Sequence, residues 1–412
     1  MTKYDTLNKT LTIILAGGQG TRLAPLTIER AKPAVKFAGK YRIIDFVLSN
    51  CLNSGLRKIA VLTQYRSESL DNHIHLAWNI FNYELKEFIH IVPPQHNAAV
   101  GEWYTGTADA IYKNIHLIEQ WCPEYVLILS GDHLYKMNYW ELINYHKEKN
   151  ADLTVATIEY PRSEAHQFGI VEVNDDWRIV GFEEKPKNPK PIPSKPDKSL
   201  SNMGIYVFST QPLIKALVED ARKKSDHDFG KNVIPMMIQE NYKVYAYNFY
   251  DNKKNTPCYW RDIGTIDAYF DANMEVLKRD PKFDFYDKFW QLRTLQEQAA
   301  PAKIVNAANG KEAKIVNSMV SGGCIIEGAT VINSIVSYRV VIHQDALVEN
   351  SIMFEHINIG KNVKIKNAII DKNVRIADNL TIGYDKELDK SRGFTISERG
   401  ITVVPMNKII DK

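Results

Sequence analysis

TIILAGGQGTRLAPLTIERAKPAV, residues 12–35, runs from a short apolar segment directly into a glycine-rich loop that carries an arginine. Leu11, Ile13, Ile14 and Leu15 are apolar and partly β-branched, which reads as a buried strand. Gly17, Gly18 and Gly20 then remove Cβ atoms where the backbone must turn sharply and approach a ligand. Backbone N–H groups freed in such a loop can face phosphate oxygens. The loop contains no G-x-x-x-x-G-K-[ST], and Leu23 stands where a dinucleotide fingerprint needs its third glycine. Kinase and dehydrogenase readings therefore lose ground.

Two fixed cations set this loop apart, Arg22 within it and Lys32 just before Pro33. Arginine offers polyphosphate a planar fork, and lysine a mobile point charge. Pro33 biases Lys32 away from helical geometry, so its side chain projects from an extended segment. The combination predicts a nucleoside triphosphate site. Farther on, the apolar run 125–129 leads through Ser130 and Gly131 to Asp132, a carboxylate presented where a strand ends. Mg²⁺ combines one or two carboxylates with phosphate oxygens and water. Asp132 is one candidate ligand, and Asp262 in YWRDIGT is the second, which only the fold can bring near. Glu184, Lys185 and Pro186 follow the strand-like IVGF and set an anchored lysine on a turn.

The periodicity changes along the chain. Up to about residue 280 short apolar runs alternate with helical segments, and residues 59–63, 125–129, 153–158 and 205–208 are strand candidates. This predicts an α/β, Rossmann-like domain with a mostly parallel sheet and helices on both faces. Ligands of such sheets bind outside the carboxyl ends of the strands, where the Gly17 loop and Asp132 both fall. From about residue 303, Ile335, Val341, Leu347, Met353, Ile359 and Ile365 recur every six residues with Asn, Gly, Asp and Ser between them. A six-residue period is the signature of a parallel β-helix, with chance alternation in a β-sandwich as the competing reading. The expected organisation is a catalytic domain over 1–280, a connecting segment over 281–302 and a β-helix over 303–412. The aromatic-rich PKFDFYDKFWQLRT of the connector is expected to pack one domain on the other.

Composition narrows the function classes. A chain of 412 residues exceeds the size at which one core usually keeps growing. With 44% hydrophobic and 25% charged residues there is no case for disorder, and a net charge of +3 gives no general case for nucleic-acid binding, so any basic site is local. Cys51, Cys122, Cys258 and Cys324 are far apart and form no C-x-x-C pair, which weighs against zinc and against a disulfide framework. They read as reduced, mostly buried thiols. MTKYDTLNKT lacks the apolar core of a signal peptide, and no stretch approaches the roughly 20 apolar residues that span a membrane. A cytoplasmic protein without membrane or nucleic-acid partners is expected.

LAGGQGTRL, AKPAVKFAGKYRIIDFVLSNCLNSG, GEWYTGTADA, SGDHLY, EEKP and YWRDIGT resemble the sugar-nucleotide pyrophosphorylases, and among them the bacterial ADP-glucose branch. The resemblance covers nearly the whole chain. It implies transfer of the adenylyl group of ATP to glucose 1-phosphate as the committed step of glycogen-type glucan synthesis, with Mg²⁺ as cofactor. It also implies a left-handed β-helix, a homotetramer and a small-molecule allosteric effector. By the same resemblance Arg22, Lys32 and Asp132 are catalytic, and Asp132 and Asp262 hold the metal. Leu15, Ala16, Gly17, Gly18, Gly20 and Thr21 match the nucleotide pocket. Tyr104, Gly169, Glu184, Lys185, Asn202 and Asp228 match the glucose 1-phosphate site, with Lys185 on the phosphate and Glu184 on the sugar hydroxyls. Asn202 is a departure, since the family usually has Ser there; Asn keeps hydrogen-bonding capacity but is larger. The proline-rich stretch 186–196 becomes an extended surface loop within the catalytic domain.

Regulatory positions match only in part. Arg30 and Arg42 are kept, and Gln64 and Trp103 match loops that relay activation in the family. Glu29 stands where enteric members carry an activator lysine, and Gln120 replaces an arginine associated with AMP. A carboxylate at Glu29 repels a bisphosphate, so a weak response to fructose 1,6-bisphosphate is expected. Three other readings stay open: a uridylyl- or thymidylyltransferase using UTP or dTTP, an acyltransferase built on the β-helix, and a non-catalytic regulatory subunit. Only His343 and His356 are available in the repeat for the second. The third would have lost the charged groups that Arg22, Lys32, Asp132, Lys185 and Asp262 retain.

Overall fold

Successive side chains of the first strand, β1 (Thr10–Ala16), point to opposite faces of its sheet, and both faces are covered. Ile13 and Ile14 are fully buried, in two different apolar clusters. Two-sided burial is why this strand reads as a nearly continuous apolar run. The computed structural model describes residues 2–94 and 103–412; Gly101 and Glu102 of the GEWYTGTADA motif lie outside them. The elements that position the site are, after β1, α1 (Ile43–Ser54), β2 (Lys58–Thr63), β3 (Phe88–Val92), α2 (Thr107–Tyr112), β4 (Tyr125–Ser130), β5 (His133–Tyr135), β6 (Leu153–Pro161), β7 (Gly169–Val173), β8 (Ile179–Glu184), β9 (Lys198–Ser209), α3 (Thr210–Ala221), β10 (Val244–Asn248), β11 (Trp260–Asp262) and α4 (Ile266–Glu275).

The main sheet has nine strands in the order β8-β7-β9-β4-β1-β2-β3, with β6 pairing both β9 and β10. It is parallel across β4, β1, β2 and β3, and antiparallel around the long β9. Leu15 of β1 lies level with Leu62 of β2 and Ser130 of β4. The Gly131 N–H donates to the Leu15 carbonyl at 3.0 Å, so the glycine loop and Asp132 leave the sheet from the same edge. A separate two-stranded ribbon pairs β5 with β11 antiparallel and sets Asp262 opposite His133.

The C-terminal part is a left-handed parallel β-helix of three sheets. Its interior positions step by 17 residues from coil to coil: Val331, Val348, Ile365 and Ile382 line one wall, and Val336, Met353 and Ile370 another. The strict six-residue ladder therefore slips. Ile342 and Val348 fill the interior rather than Val341 and Leu347, and Ile335 is buried outside the coil. The slip arises because the coil is one residue shorter than three hexapeptides. Corners are turned by left-handed Asn residues, among them Asn350, Asn362, Asn367 and Asn379, where Asn tolerates a positive φ. Their amides bond from coil to coil, Asn350 to Asn367 and Asn362 to Asn379 at 3.1 Å.

One apolar cluster joins the two parts. Leu23 and Leu26 after the glycine loop, Phe37 and Phe46, and Ile335, Ile352, Phe354, Ile369 and Val403 of the β-helix all belong to it. Phe283 of the connector sits in the same cluster, and the Trp290 indole donates to Asn50 at 2.9 Å. Tyr286 and Phe289 of the connector are exposed, so its aromatics are only partly used for docking. A buried ion pair crosses the junction: the Arg30 Nη2 donates to both Asp371 oxygens at 2.9 and 3.0 Å, with side chains 4% and 1% exposed. All four cysteines are free; Cys51 and Cys324 are buried, but Cys258 is only partly covered and Cys122 is exposed, which corrects the expectation of mostly buried thiols. Cys122 follows the helix Ile115–Trp121 in the left-handed conformation, and its thiol donates back to the Glu119 carbonyl at 2.9 Å. Among the described residues no helix is long and apolar enough to cross a membrane.

Removing one partner of a buried pair leaves an uncompensated charge, whereas replacing both by apolar groups does not. Asp371→Ala is expected to destabilise the protein by about 3 kcal/mol in urea unfolding, and the double variant Arg30→Met/Asp371→Leu by less. A double variant worse than the single would contradict this reading.

Candidate active site

The glycine loop is held tightly from below and open above. A Cβ on Gly17 would lie 3.0 Å from the Gln64 Cβ, while one on Gly18 would meet nothing within 4 Å. Gly20 takes a left-handed φ of 61°, and its carbonyl accepts from Thr27 Oγ1 at 2.9 Å. Leu23 anchors the far end of the loop in the junction core. Above the loop lies a cavity of about 650 Å³. Leu15, Ala16, Gly17, Gly18, Gly20, Thr21, Arg22, Lys32 and Asp132 line it, together with Tyr104, Glu184, Asn202 and Asp228.

Three charges meet at the edge of this cavity. Lys32 Nζ is 2.9 Å from Asp132 Oδ2 and 3.0 Å from Asp262 Oδ1, and the lysine side chain is only 7% exposed. Burial alone would lower the Lys32 pKa, but the two carboxylates outweigh it and the net shift is upward. At Asp132 burial pulls upward, yet Lys32, then His133 and the Ser130 hydroxyl at 2.6 Å, hold it well below the usual carboxylate range. Both members stay charged at neutral pH. Arg22 reaches the same place because residue 264 is glycine: a Cβ there would lie 2.9 Å from an Arg22 Nη and 3.1 Å from Asp262 Oδ2. Both carboxylates converge on one cationic position, and among the described residues no group of three or more His, Cys, Asp or Glu gathers. An oxygen-only, incomplete set of this kind fits Mg²⁺, whose remaining positions go to phosphate and water.

Gly169 lies behind the Glu184 part of the cavity wall. It pairs with Glu184 across β7 and β8, and a Cβ on it would come within 2.7 Å of Glu184 Oε2 and 2.6 Å of the Phe182 ring. Its contribution is room for Glu184. Burial raises the Glu184 pKa; Lys185, 3.6 Å away, opposes the shift and Asp228 adds to it. Lys185 itself has a left-handed φ of 49° and a side chain 64% exposed, outside the cavity wall. The Asn202 amide is spent on the protein: Oδ1 accepts the Gly204 N–H at 3.0 Å and Nδ2 donates to the Tyr206 hydroxyl at 2.8 Å.

Residues 11–279 match the family model for nucleotidyl transferase, and residues 300–404 the model for a GlmU-like C-terminal hexapeptide region. The chain is similar to the glucose-1-phosphate adenylyltransferase of Rhodopirellula baltica, 48% identical over 98% of this chain and 91% of that protein. It is also 49% identical to glucose-1-phosphate adenylyltransferase 2 of Vibrio cholerae, over 97% of this chain and 98% of that one. The Thermus thermophilus glucose-1-phosphate adenylyltransferase is 48% identical, with 96% and 97% covered. The chain belongs to the glucose-1-phosphate adenylyltransferase family.

In this adenylyltransferase fold the remaining positions separate into two groups. Gln64 lines the cavity, its amide 3.5 Å from the Tyr104 carbonyl, and Trp103 stacks on the cavity residue Tyr65 with centroids 5.0 Å apart. Arg30 and Arg42 lie away from it, Arg30 on Asp371 and Arg42 on the Ser69 carbonyl and hydroxyl at 2.9 and 2.7 Å. Glu29 is exposed, 4.0 Å from Arg66. In the β-helix His343 lies 3.7 Å from Glu327 and His356 turns a corner with φ 60°. Sequence reasoning passed over Tyr65, Gly106, Thr107, Tyr206 and Gly264. All five stand inside stretches that carry the resemblance, Tyr65 in LTQYRS and Tyr206 in NMGIYVF, but nothing in their residue types marks them as cavity residues.

Two outcomes follow from this geometry. Gly264→Ala is expected to push Arg22 aside and lower kcat on the order of a hundredfold at unchanged thermal stability, since a displacement near 1 Å has that effect; near-normal kcat would refute the placement. The pH test concerns the metal-free protein. Asp132 is depressed below its unfolded value of about 3.9, so its pairing stabilises fully above that value and is lost as pH falls through the folded one. The stability deficit of Lys32→Met is therefore expected to shrink below pH ~4 in denaturant titrations, and a constant deficit from pH 7 to pH 3 would contradict the pairing.

Proposed function

We propose that the protein transfers the adenylyl group of ATP to α-D-glucose 1-phosphate, forming ADP-glucose and pyrophosphate. The observation that carries this reading is the meeting of Lys32, Asp132 and Asp262, with Arg22 beside them, at the edge of a cavity that Glu184 and Asp228 also line. The near full-length identity to proteins named for this activity supports the choice of ATP and glucose 1-phosphate.

A phosphate oxygen of glucose 1-phosphate attacks the α-phosphorus of ATP in line, and pyrophosphate departs with the electrons of the α–β bridging bond. Because no enzyme nucleophile intervenes, the work of the protein is positioning and charge stabilisation. Backbone groups of the Gly17–Gly20 loop face the triphosphate, Arg22 meets the β and γ phosphates as charge builds on the leaving group, and Lys32 stays cationic beside the reacting centre. Asp132 and Asp262 are the residues that would hold Mg²⁺, which neutralises phosphate charge when bound. Lys185, on its exposed turn, swings onto the sugar phosphate, and Glu184 accepts from sugar hydroxyls. We extend the reading to a cytoplasmic homotetramer under a small-molecule effector acting through Arg30, Arg42, Gln64 and Trp103, which rests on the family resemblance.

The deciding experiment is pyrophosphate release with Mg²⁺, glucose 1-phosphate and ATP, UTP, dTTP, GTP or CTP in parallel. Strong preference for ATP is expected; preference for UTP or dTTP would reject the assignment, and no turnover with any would favour a regulatory subunit. Arg22→Ala and Asp132→Asn are each expected to lose at least about a hundredfold in kcat, as the loss of one preorganised charge contact costs about 3 kcal/mol. Lys185→Gln mainly raises the KM for glucose 1-phosphate.

A further inference from the structure

The turn that delivers Asp228 is held by side chains that lie behind the cavity. His227 precedes Asp228 with a left-handed φ of 50°, a conformation unfavourable for a residue with a Cβ and stable only when its surroundings fix it. Its surroundings do so. The ring Nδ1 is 2.7 Å from Asp220 Oδ2 on α3 and 3.1 Å from the Ser225 hydroxyl, and the Asp220 side chain is 5% exposed. Ser225 in turn donates to Asp220 Oδ1 at 2.9 Å and accepts the His227 backbone N–H at 3.0 Å. Ser, His and Asp here form a closed ring of mutual contacts. Since the serine hydroxyl is engaged by both the carboxylate and a backbone N–H, the ring is not arranged as a nucleophilic triad.

What the ring fixes is the His227 carbonyl. It accepts the N–H groups of Ala108 and Asp109 at 2.8 and 3.2 Å, two of the free donors at the start of α2. The approach is so close that a Cβ on Gly106 would lie 2.2 Å from the Asp226 carbonyl oxygen and 2.3 Å from that of His227. One residue on, Thr107 Oγ1 donates to Asp228 Oδ2 at 2.9 Å and accepts the Phe229 N–H at 3.1 Å. Gly106, Thr107 and Asp228 all line the cavity, whereas Asp220 and Ser225 do not. The Gly106–Thr107 turn and the Asp228 turn, both part of the cavity lining, are thus stitched together through His227.

We infer that Asp220, Ser225 and His227 are positioning residues for the sugar-phosphate end of the site, setting the Asp228 carboxylate and the Gly106–Thr107 turn at a fixed separation. The inference rests on the proposed function, in which that end receives glucose 1-phosphate. Steady-state kinetics of the full chain test it, with both substrates varied and melting temperatures taken as a control. His227→Ala and Asp220→Asn are each expected to raise the KM for glucose 1-phosphate about tenfold, the equivalent of one charge-assisted hydrogen bond, while kcat and the KM for ATP stay within about twofold. His227→Asn is expected to recover most of the loss, because Asn tolerates a left-handed φ and can donate to Asp220. If His227→Ala does not fold, Ser225→Ala carries the same test. Equal rises in both KM values, an unmoved sugar-phosphate KM, or no rescue by His227→Asn would overturn the inference while leaving the function intact. A wild-type protein that makes no ADP-glucose overturns both.

Discussion

Two carboxylates that point at one place repel each other unless a cation stands between them. Asp132 and Asp262, 130 positions apart in number, are brought to one point by the pairing of β5 with β11, and Lys32 supplies the charge that makes the point tolerable. Each partner depends on a different feature of the chain. Asp132 follows the end of a strand buried on both faces, Asp262 closes a three-residue strand, and Lys32 opens a 3₁₀ turn over Lys32–Ala34 instead of the extended segment expected, because Pro33 is tolerated in a helix's first turn. Because the β-helix shares one apolar cluster with Leu23, Leu26 and Phe37, the loop and its cations are braced from behind by the C-terminal part of the chain. The same convergence of oxygens that the lysine satisfies is what a divalent cation requires.

Absent side chains shape the cavity as much as present ones. Gly264 leaves space for Arg22, Gly169 for Glu184, Gly17 for Gln64, and Gly106 for the carbonyls of the Asp226–His227 turn. In each case a single Cβ would push against an atom that the site needs in place. These contacts explain why catalytic geometry is sensitive to positions that carry no chemistry of their own.

Much of this was legible in the sequence, for physical reasons that also mark where legibility ends. β1 and the glycine loop could be read because two-sided burial and tight turns leave strong local signals, and Asp132 because it follows such a strand directly. Asp262 could be named only through its motif, since its approach to Asp132 depends on a pairing between segments far apart in sequence. The six-residue ladder identified the β-helix but assigned Val341 and Leu347 to the interior, because a 17-residue coil drops one residue every three repeats. Asn202 matched a sugar position, yet its amide is committed to Gly204 and Tyr206, a local geometry no spacing reveals. Arg30 could be named only through the resemblance, and nothing local in the sequence shows that it forks onto Asp371, 341 residues away. Contacts of that range leave no periodic trace.

In the proposed reaction fixed charges align two substrates for one direct displacement at the α-phosphorus, with no covalent adenylyl-enzyme. The most direct measurement is the stereochemical course at phosphorus, using one diastereomer of adenosine 5′-(1-thiotriphosphate) with glucose 1-phosphate and assigning the configuration of the thio-ADP-glucose by ³¹P NMR. A single in-line displacement predicts inversion. Retention would mean two successive displacements through an enzyme-bound intermediate, and would contradict the account of how Arg22, Lys32, Asp132 and Asp262 act.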